Sequence, residues 1–153
     1  MSAVSGAALL HPGRKHHMRT ILNLIWLVLG GFWLALGYIA FGVLACLLIV
    51  TIPFGVASFR MASYALWPFG KAVVDKPSAG VGSGLANVIW FLIAGVWLAI
   101  GHVTTAVAQA VTIIGIPLAI ANLKMVPVTC FPFGKLIVNS DSLPPGYRPL
   151  HSL

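Results

Sequence analysis

Acidic residues are almost missing from this sequence, and charged residues of either sign are few. Asp75 and Asp141 are the only acids among 153 residues, and charged residues make up 7% of the chain. A soluble domain carries about 25% charged residues. With 59% hydrophobic residues and a mean hydropathy of +1.01, the chain has too few polar groups to cover a soluble surface. The composition therefore predicts an integral membrane protein.

The shortage of reactive side chains restricts the chemistry. Both acids lie outside the long apolar runs, so these runs offer no site for paired-carboxylate catalysis. The two cysteines lack CxxC spacing, and the adjacent His16 and His17 have no second cluster to complete a metal site. No hydrolase or nucleotide-binding fingerprint occurs in the sequence. We expect no enzyme activity, no cofactor and no metal.

Positive charge is concentrated at the borders of the apolar runs. Nine Lys and Arg give a formal charge of +7, and they fall before, between and after two long apolar stretches. This arrangement predicts contact with membrane lipids rather than nucleic acid. Four cations are candidate contacts for lipid headgroups, in the second half of each apolar copy: Arg60, Lys71, Lys124 and Lys135.

The chain contains an internal repeat at an offset of 64 residues. Placing 21–74 over 85–138 needs no gap and gives about 19 identities in about 54 positions. Asn23, Trp26 and the PFGK of 68–71 all recur 64 positions later. The sequence thus predicts a basic cytoplasmic tail over 1–20, membrane repeats over 21–74 and 85–138, a Gly/Ser/Pro linker over 75–84 and a polar, loosely held tail over 139–153.

Each repeat is predicted to form a helical hairpin. The first apolar run, 21–52, would reach about 48 Å as one straight helix, against a hydrocarbon core of about 30 Å. The positive-inside rule places all three cation clusters in the cytoplasm, which requires each copy to return to its own side. We expect limbs at 21–37 and 40–59, and at 85–101 and 104–123, bending near Gly37 and Gly101, with Pro53 and Pro117 kinking the returning limbs. The hairpins are transmembrane or re-entrant. The fold class is an all-α membrane protein with an interfacial amphipathic segment after each hairpin.

The repeated motifs resemble those of the YccF family of small bacterial inner-membrane proteins. The likeness rests on MRTILNLIWLVLGGFWLALG, IPFG at 52–55, WPFGK at 67–71 and their duplicates, and it spans about residues 18–138. At 118–119 the second copy departs from the PFG of the first, and the residues before Met18 look like an extension. The resemblance implies a bacterial inner-membrane location and a duplicated membrane domain, and it carries no catalytic residue to this chain.

A first candidate site is one helix face in each copy. Small, aromatic and amide residues recur there at spacings of 3 and 4, which places them on one side of a regular helix. Such a face is typical of close helix packing, between the copies or between subunits; the alternative is that its donors bind an anion or a lipid headgroup. The residues are Asn23, Trp26, Gly30, Trp33 and Gly37, and Asn87, Trp90, Ala94, Trp97 and Gly101.

A second candidate is a polar stripe that only the second copy has. Tyr38, Phe41, Ala45 and Leu48 become His102, Thr105, Gln109 and Thr112. Because polar side chains are costly in lipid, this stripe should face protein or water. It either bonds neighbouring helices together or lines a hydrated path on which His102 could carry a proton.

These observations lead to two main functional hypotheses, with lipid binding through the basic surface ranked below them. The first is a non-enzymatic accessory or scaffold subunit that assembles as a homo-oligomer or within a larger membrane complex. The alternative is a small oligomeric channel or transporter lined by the polar stripe. In either case we expect a multi-pass protein of the bacterial inner membrane with both termini in the cytoplasm.

Overall fold

The chain is mostly helical, with a small sheet that the sequence did not predict. A computed structural model describes residues 12–153, and the side chains from Lys15 onward. The first repeat comprises α1 (Pro12–Trp26), a π-helical turn (Leu27–Gly31), α2 (Phe32–Leu47), a 3₁₀ turn (Ile49–Thr51), α3 (Ile52–Leu66) and β1 (Lys71–Asp75). The second comprises α4 (Val81–Trp90), a π-helical turn (Phe91–Gly95), α5 (Val96–Ala110), α6 (Gly115–Cys130) and β2 (Lys135–Asn139), and β3 (Pro149–Ser152) follows.

Both repeats form hairpins, but the expected bends near Gly37 and Gly101 were wrong. The helices continue through both glycines, and the chain turns at 48–51 and 111–114. Each glycine instead faces a leucine of the other repeat, and only at Gly37 would an added methyl group be closer than an ordinary van der Waals contact. A Cβ built on Gly37 would lie 3.3 Å from Leu98, and one built on Gly101 would lie 3.5 Å from Leu34.

The expected proline kinks were also wrong. Pro53 lies in the first turn of α3, and Pro117 is the third residue of α6. Proline is tolerated in a first turn because the missing N–H has no helical partner there. The two prolines therefore begin the returning helices at the bend and do not kink them.

Ordered structure extends into segments that were expected to be loose. Residues 12–20 of the predicted basic tail are the start of α1, and residues 1–11 of it lie outside the described residues. The linker is reduced to 76–80 between β1 and α4. The C-terminal tail is held as well, because β3 pairs with β1.

The sheet has strand order β2–β1–β3 and joins the two repeats. β1 and β2 are antiparallel, and Val73 pairs with Ile137, the residue 64 positions later. The PFGK motifs are the turns into these strands, since Gly70 and Gly134 have φ of 96° and 78°, a region that favours glycine. The sequence interpretation, which gave Lys71 and Lys135 only as headgroup contacts, thus missed the strands that begin at these residues.

α3 lies along the sheet rather than pointing away from it. Its start, middle and end each contact a residue in or next to the sheet. Phe54 packs on Phe133 with ring centroids 5.2 Å apart, and Arg60 donates to the carbonyl of Pro132 at 2.8 Å. Tyr64 Oη lies 3.3 Å from His151 Nε2. The molecule is therefore layered, with the sheet on one side of the helices.

In the part of the chain that the structure describes, three helical stretches are long and apolar enough to cross a membrane. They are Lys15–Leu47, Ile49–Leu66 and Val81–Ala110, and α6 is a shorter apolar helix. Large apolar side chains remain exposed on their outer surfaces, as expected where lipid rather than water surrounds a helix.

Candidate functional site

The predicted packing face of the first repeat is divided by the π-helical turn. Asn23, Trp26 and Gly30 are buried, whereas Trp33 is 69% exposed and Gly37 is half-buried. The spacing of 3 and 4 assumes a regular α-helix, and a π-helical turn adds one residue and rotates everything after it. The buried face therefore continues one position later, at Leu34 and Tyr38.

The second repeat has the same displacement. Trp90 and Ala94 are buried and Asn87 is half-buried, but Trp97 is 62% exposed and Gly101 is half-buried. Beyond the π-helical turn at Phe91–Gly95, the buried positions are Leu98, Ala99 and His102. The displaced register brings the polar stripe of α5 inward, toward the first repeat.

The Asn and Trp side chains that recur at the same spacing in both repeats hydrogen-bond to backbone groups. Asn23 Nδ2 donates to the carbonyl of Phe69 at 3.0 Å, and its Oδ1 accepts the N–H of Phe69 at 2.9 Å. Asn87 makes the same two bonds to Phe133. Trp26 and Trp90 donate their indole N–H to the carbonyls of Ala65 and Thr129, respectively. These donors are engaged by carbonyl oxygens and are not free for an anion.

A buried chain of hydrogen bonds connects the repeats. His102 Nε2 lies 3.0 Å from Tyr38 Oη, and His102 Nδ1 lies 2.7 Å from Asn122 Oδ1. Asn122 Nδ2 donates to Gln109 Oε1 at 2.8 Å, and Tyr38 Oη also bonds Thr129 Oγ1. With the amide of Asn122 placed so that its nitrogen donates to Gln109, its oxygen accepts from His102 Nδ1. A neutral His102 with its proton on Nδ1 then accepts from Tyr38 through Nε2.

Part of this network was predicted from the sequence, and the other part was not predicted. His102 and Gln109 were predicted as polar stripe residues, and both are buried. Tyr38, Asn122 and Thr129 were missed, although all three are also buried. Asn122 replaces Ser58 and Thr129 replaces Ala65, and the same comparison of the two copies that identified the stripe could have found both.

The two threonines of the stripe lie at its margins. Thr105 is half-buried and donates to the carbonyl of Gly101 in its own helix at 2.8 Å. Thr112 is exposed in the turn after α5, where it donates to the carbonyl of Gln109 at 3.2 Å. A Cβ built on Gly30 would lie 2.6 Å from Cγ2 of Thr105. The first repeat thus packs directly against the stripe.

One polar atom of the network has no partner. Gln109 Nε2 is buried without a hydrogen-bond acceptor, and it is the one such side-chain atom in the described part of the chain. An unpaired buried amide destabilises a fold by about 1–3 kcal/mol. At one end of the network the hydroxyl of Thr129 is hydrogen-bonded to Tyr38, and at the other end Gln109 Nε2 has no partner.

The four candidate headgroup contacts all lie at the sheet. Lys135 forms an ion pair with Asp75, whereas Lys71 Nζ donates to the neutral Oδ1 of Asn139 at 2.8 Å. Arg60 donates to Pro132, as described above, and Lys124 Nζ donates to the carbonyl of Ser152 at 3.2 Å. Asn139 is the counterpart of Asp75, so the charge of Lys71 is left without the carboxylate that Lys135 has.

Among the described residues, two ionisable groups outside the helices have a shifted pKa. A hydrogen bond from Arg19 holds the pKa of Asp141 below its usual value, and the two residues form an ion pair. Burial lowers the pKa of His151 on β3 below 6.5, and the charge of Lys124 acts in the same direction. Within residues 12–153, no group of three His, Cys, Asp or Glu side chains could hold a metal ion.

The chain matches one family of known proteins along most of its length. The YccF family model, described as an inner membrane component domain, matches residues 21–71 and again residues 85–135. Over 134 residues the chain is 32% identical to Inner membrane protein YccF of Escherichia coli (strain K12), covering 82% of this chain and 90% of that protein. The protein of the same name from Shigella flexneri matches equally. No solved structure matches the chain.

Proposed function

Because the chain belongs to the YccF family of inner membrane proteins, we propose that it is a non-enzymatic scaffold or accessory subunit of that membrane. In this proposal its polar side chains join the two repeats and neither convert nor conduct a solute. The observation that carries it is the buried chain Thr129–Tyr38–His102–Asn122–Gln109. Polar groups that bond each other in the interior act as interhelical links.

The exposed tryptophans support assembly with other subunits. Trp33 and Trp97 occupy corresponding positions outside the core, and tryptophan is enriched at protein interfaces. A homo-oligomer would cover them, and so would a larger membrane complex. Purification in native lipid nanodiscs, followed by identification of the proteins that accompany the chain, separates these two arrangements.

The alternative, a small oligomeric channel, has one observation in its favour. Gln109 Nε2 is unpaired and Thr112 is exposed at the end of the same stripe. Within an oligomer these two groups could contact water. We rank this function second because His102, Asn122 and Gln109 Oε1 already bond protein partners.

A triple variant separates the two functions. Thr105→Val, Gln109→Leu and Thr112→Val together remove the polar groups of the stripe and retain similar volumes. For a scaffold we expect no solute flux from wild-type proteoliposomes above empty liposomes, and a loss of assembly and thermal stability in the variant. Wild-type flux that the variant abolishes while its assembly survives would reject the scaffold and support the channel. A single Thr112→Val variant, at the exposed end, is the matched control.

A further inference from the structure

The two repeats are related by a pseudo-two-fold axis that is perpendicular to the sheet. Val73 pairs with Ile137 and Tyr38 bonds His102, and in each pair the residues are 64 positions apart. One axis therefore passes through the centre of the β1–β2 ladder and through the contact between α2 and α5. A two-fold axis that relates two antiparallel strands is normal to their sheet.

The long helices run across this axis rather than along it. Because a Cβ built on Gly30 would lie 2.6 Å from Thr105 Cγ2, the backbones of the two residues are within about 7 Å of each other. Thr105 is the counterpart of Phe41, and a two-fold rotation leaves the height along its axis unchanged, so Phe41 and Thr105 lie at the same height. Because Gly30 is close to Thr105, Gly30 and Phe41 lie at similar heights along the axis. These two residues are about 16 Å apart along one helix. The helix is thus inclined to the axis by about 65° or more.

The position of the sheet then restricts how the molecule can lie in a bilayer. If α2 stood along the membrane normal, the sheet would face sideways at the depth of the hydrocarbon. The ion pair Lys135–Asp75, two residues from the axial Val73–Ile137 pair and with its acid 61% exposed, would then meet lipid tails. Charged groups at that depth are costly and are found facing protein or water. Such an orientation is incompatible with this surface.

The opposite side of the molecule is apolar. The buried residues of α2 face α3 and α6, where Ser58 donates to the carbonyl of Tyr38 and Thr129 bonds its hydroxyl. Large apolar side chains cover the outer side of α2 and α5 without a charged residue among them. They include Phe32, Leu36, Val43 and Leu44 on α2, and Ile100, Val103 and Val107 on α5.

We propose that this apolar helical face docks into the acyl chains of a single bilayer leaflet. The pseudo-two-fold axis is then parallel to the membrane normal, and the sheet with its cations lies at the anionic headgroups. Of the two alternatives for the hairpins, the geometry favours the re-entrant one. The cations identify the cytoplasmic leaflet, by the positive-inside rule. The outer layer of α2 and α5, about 10–12 Å thick, fits within half of a hydrocarbon core of about 30 Å, and α3 and α6 lie between it and the sheet.

The hairpin tips fit a lipid environment. Ile49 and Val50 are 82% and 89% exposed, and Ile113 is 88% exposed. At each tip a threonine hydroxyl hydrogen-bonds to backbone groups in or next to the turn. Thr51 Oγ1 donates to the carbonyls of Ala45 and Leu48, and Thr112 Oγ1 accepts the N–H of Gly115. Such internal satisfaction is what backbone at membrane depth requires.

Depth measurements test this orientation directly. Single cysteines replace Val28, Leu36 and Leu44 on the exposed face, in a Cys46→Ala, Cys130→Ala background, and carry a fluorophore in liposomes with lipids brominated at known depths. We expect the three positions to differ in depth by about 10 Å or less, from the inclination of the helix. A helix along the membrane normal would separate Val28 from Leu44 by about 24 Å. A spread close to that value would overturn the proposal.

A labelling experiment in intact cells provides an independent test. Val50→Cys and Ile113→Cys probe the tips, and Gly80→Cys probes the sheet side. The native cysteines remain, and the parent chain gives the background. We expect a membrane-impermeant maleimide to label Gly80→Cys only after the inner membrane is opened, and to leave both tips unlabelled in intact cells. Tip labelling from the periplasm would overturn the proposal.

Discussion

Tyr38 and His102 occupy the same position in the two repeats and hydrogen-bond to each other, with Oη 3.0 Å from Nε2. Duplication alone would have placed two identical side chains on the axis. Their difference makes one a donor and the other an acceptor, which two tyrosines or two histidines could achieve only by taking unequal roles. The contact also carries the network, because each residue bonds a further partner in the second repeat.

The two Asn–Phe clamps should contribute unequally to stability. Asn23→Ala leaves the N–H and carbonyl of Phe69 without partners in a site where Asn23 is fully buried. We expect a loss of about 2–3 kcal/mol in the free energy of unfolding. Asn87→Ala breaks the same bonds at a half-buried site, so its loss should be smaller. Thermal unfolding in detergent, followed by tryptophan fluorescence, measures both. Equal losses would show that burial does not set the strength of the clamps.

Gly30 should not tolerate a methyl group. Gly30→Ala would bring a Cβ to 2.6 Å from Thr105 Cγ2 and 3.1 Å from Gln109 Nε2. We expect a destabilisation of about 1–3 kcal/mol from overpacking. Thr105→Ser removes the Cγ2 methyl and should restore most of the loss in the double variant. A double variant no more stable than Gly30→Ala would place the strain elsewhere.

The unmatched charge of Lys71 should bind anionic lipid. Asn139→Asp provides the carboxylate that Asp75 provides for Lys135, and it should reduce the phosphatidylglycerol that copurifies with the chain. Asp75→Asn frees Lys135 and should increase it. Both variants are at exposed positions, so stability should change by about 1 kcal/mol or less. Native mass spectrometry counts the bound lipids, and unchanged lipid in both variants would contradict this role.

β3 should loosen in acid. Burial lowers the pKa of His151 below its usual value of 6.5, so the unfolded chain binds a proton more readily just below pH 6.5. The contribution of neutral His151 to stability is complete above that pH and is lost as the pH falls below it. We expect wild type to lose stability relative to His151→Gln between pH 7 and pH 5. Parallel pH profiles for the two proteins would exclude His151 as the cause.

The sequence predicted those features that depend on composition and repetition. The duplicated hairpins, the apolar exterior and the polar positions of α5 all follow from residues that can be compared at the offset of 64. The family resemblance was confirmed by the matches to both copies. Trp26 and Trp90 were also identified as packing residues, and both are buried.

The rest depends on local geometry that residue spacing does not encode. The π-helical turns at Leu27–Gly31 and Phe91–Gly95 rotate the helix face by one residue, and so Trp33 and Trp97 lie outside while Tyr38 and His102 lie inside. The strands KAVVD and KLIVN are five residues long, and short apolar runs do not distinguish a strand from a helix end. The bends occur at 48–51 and 111–114 rather than at Gly37 and Gly101, and the sequence interpretation did not use Gly115, which directly follows the second bend.

A double-mutant cycle on Tyr38 and His102 tests the central claim, that a buried polar network joins the repeats. Tyr38→Phe, His102→Leu and the double variant are compared with wild type by unfolding in detergent, with Tyr147→Phe as a control outside the network. We expect a coupling free energy of about 0.5–3 kcal/mol between the two positions. Additive losses, with no coupling, would contradict it.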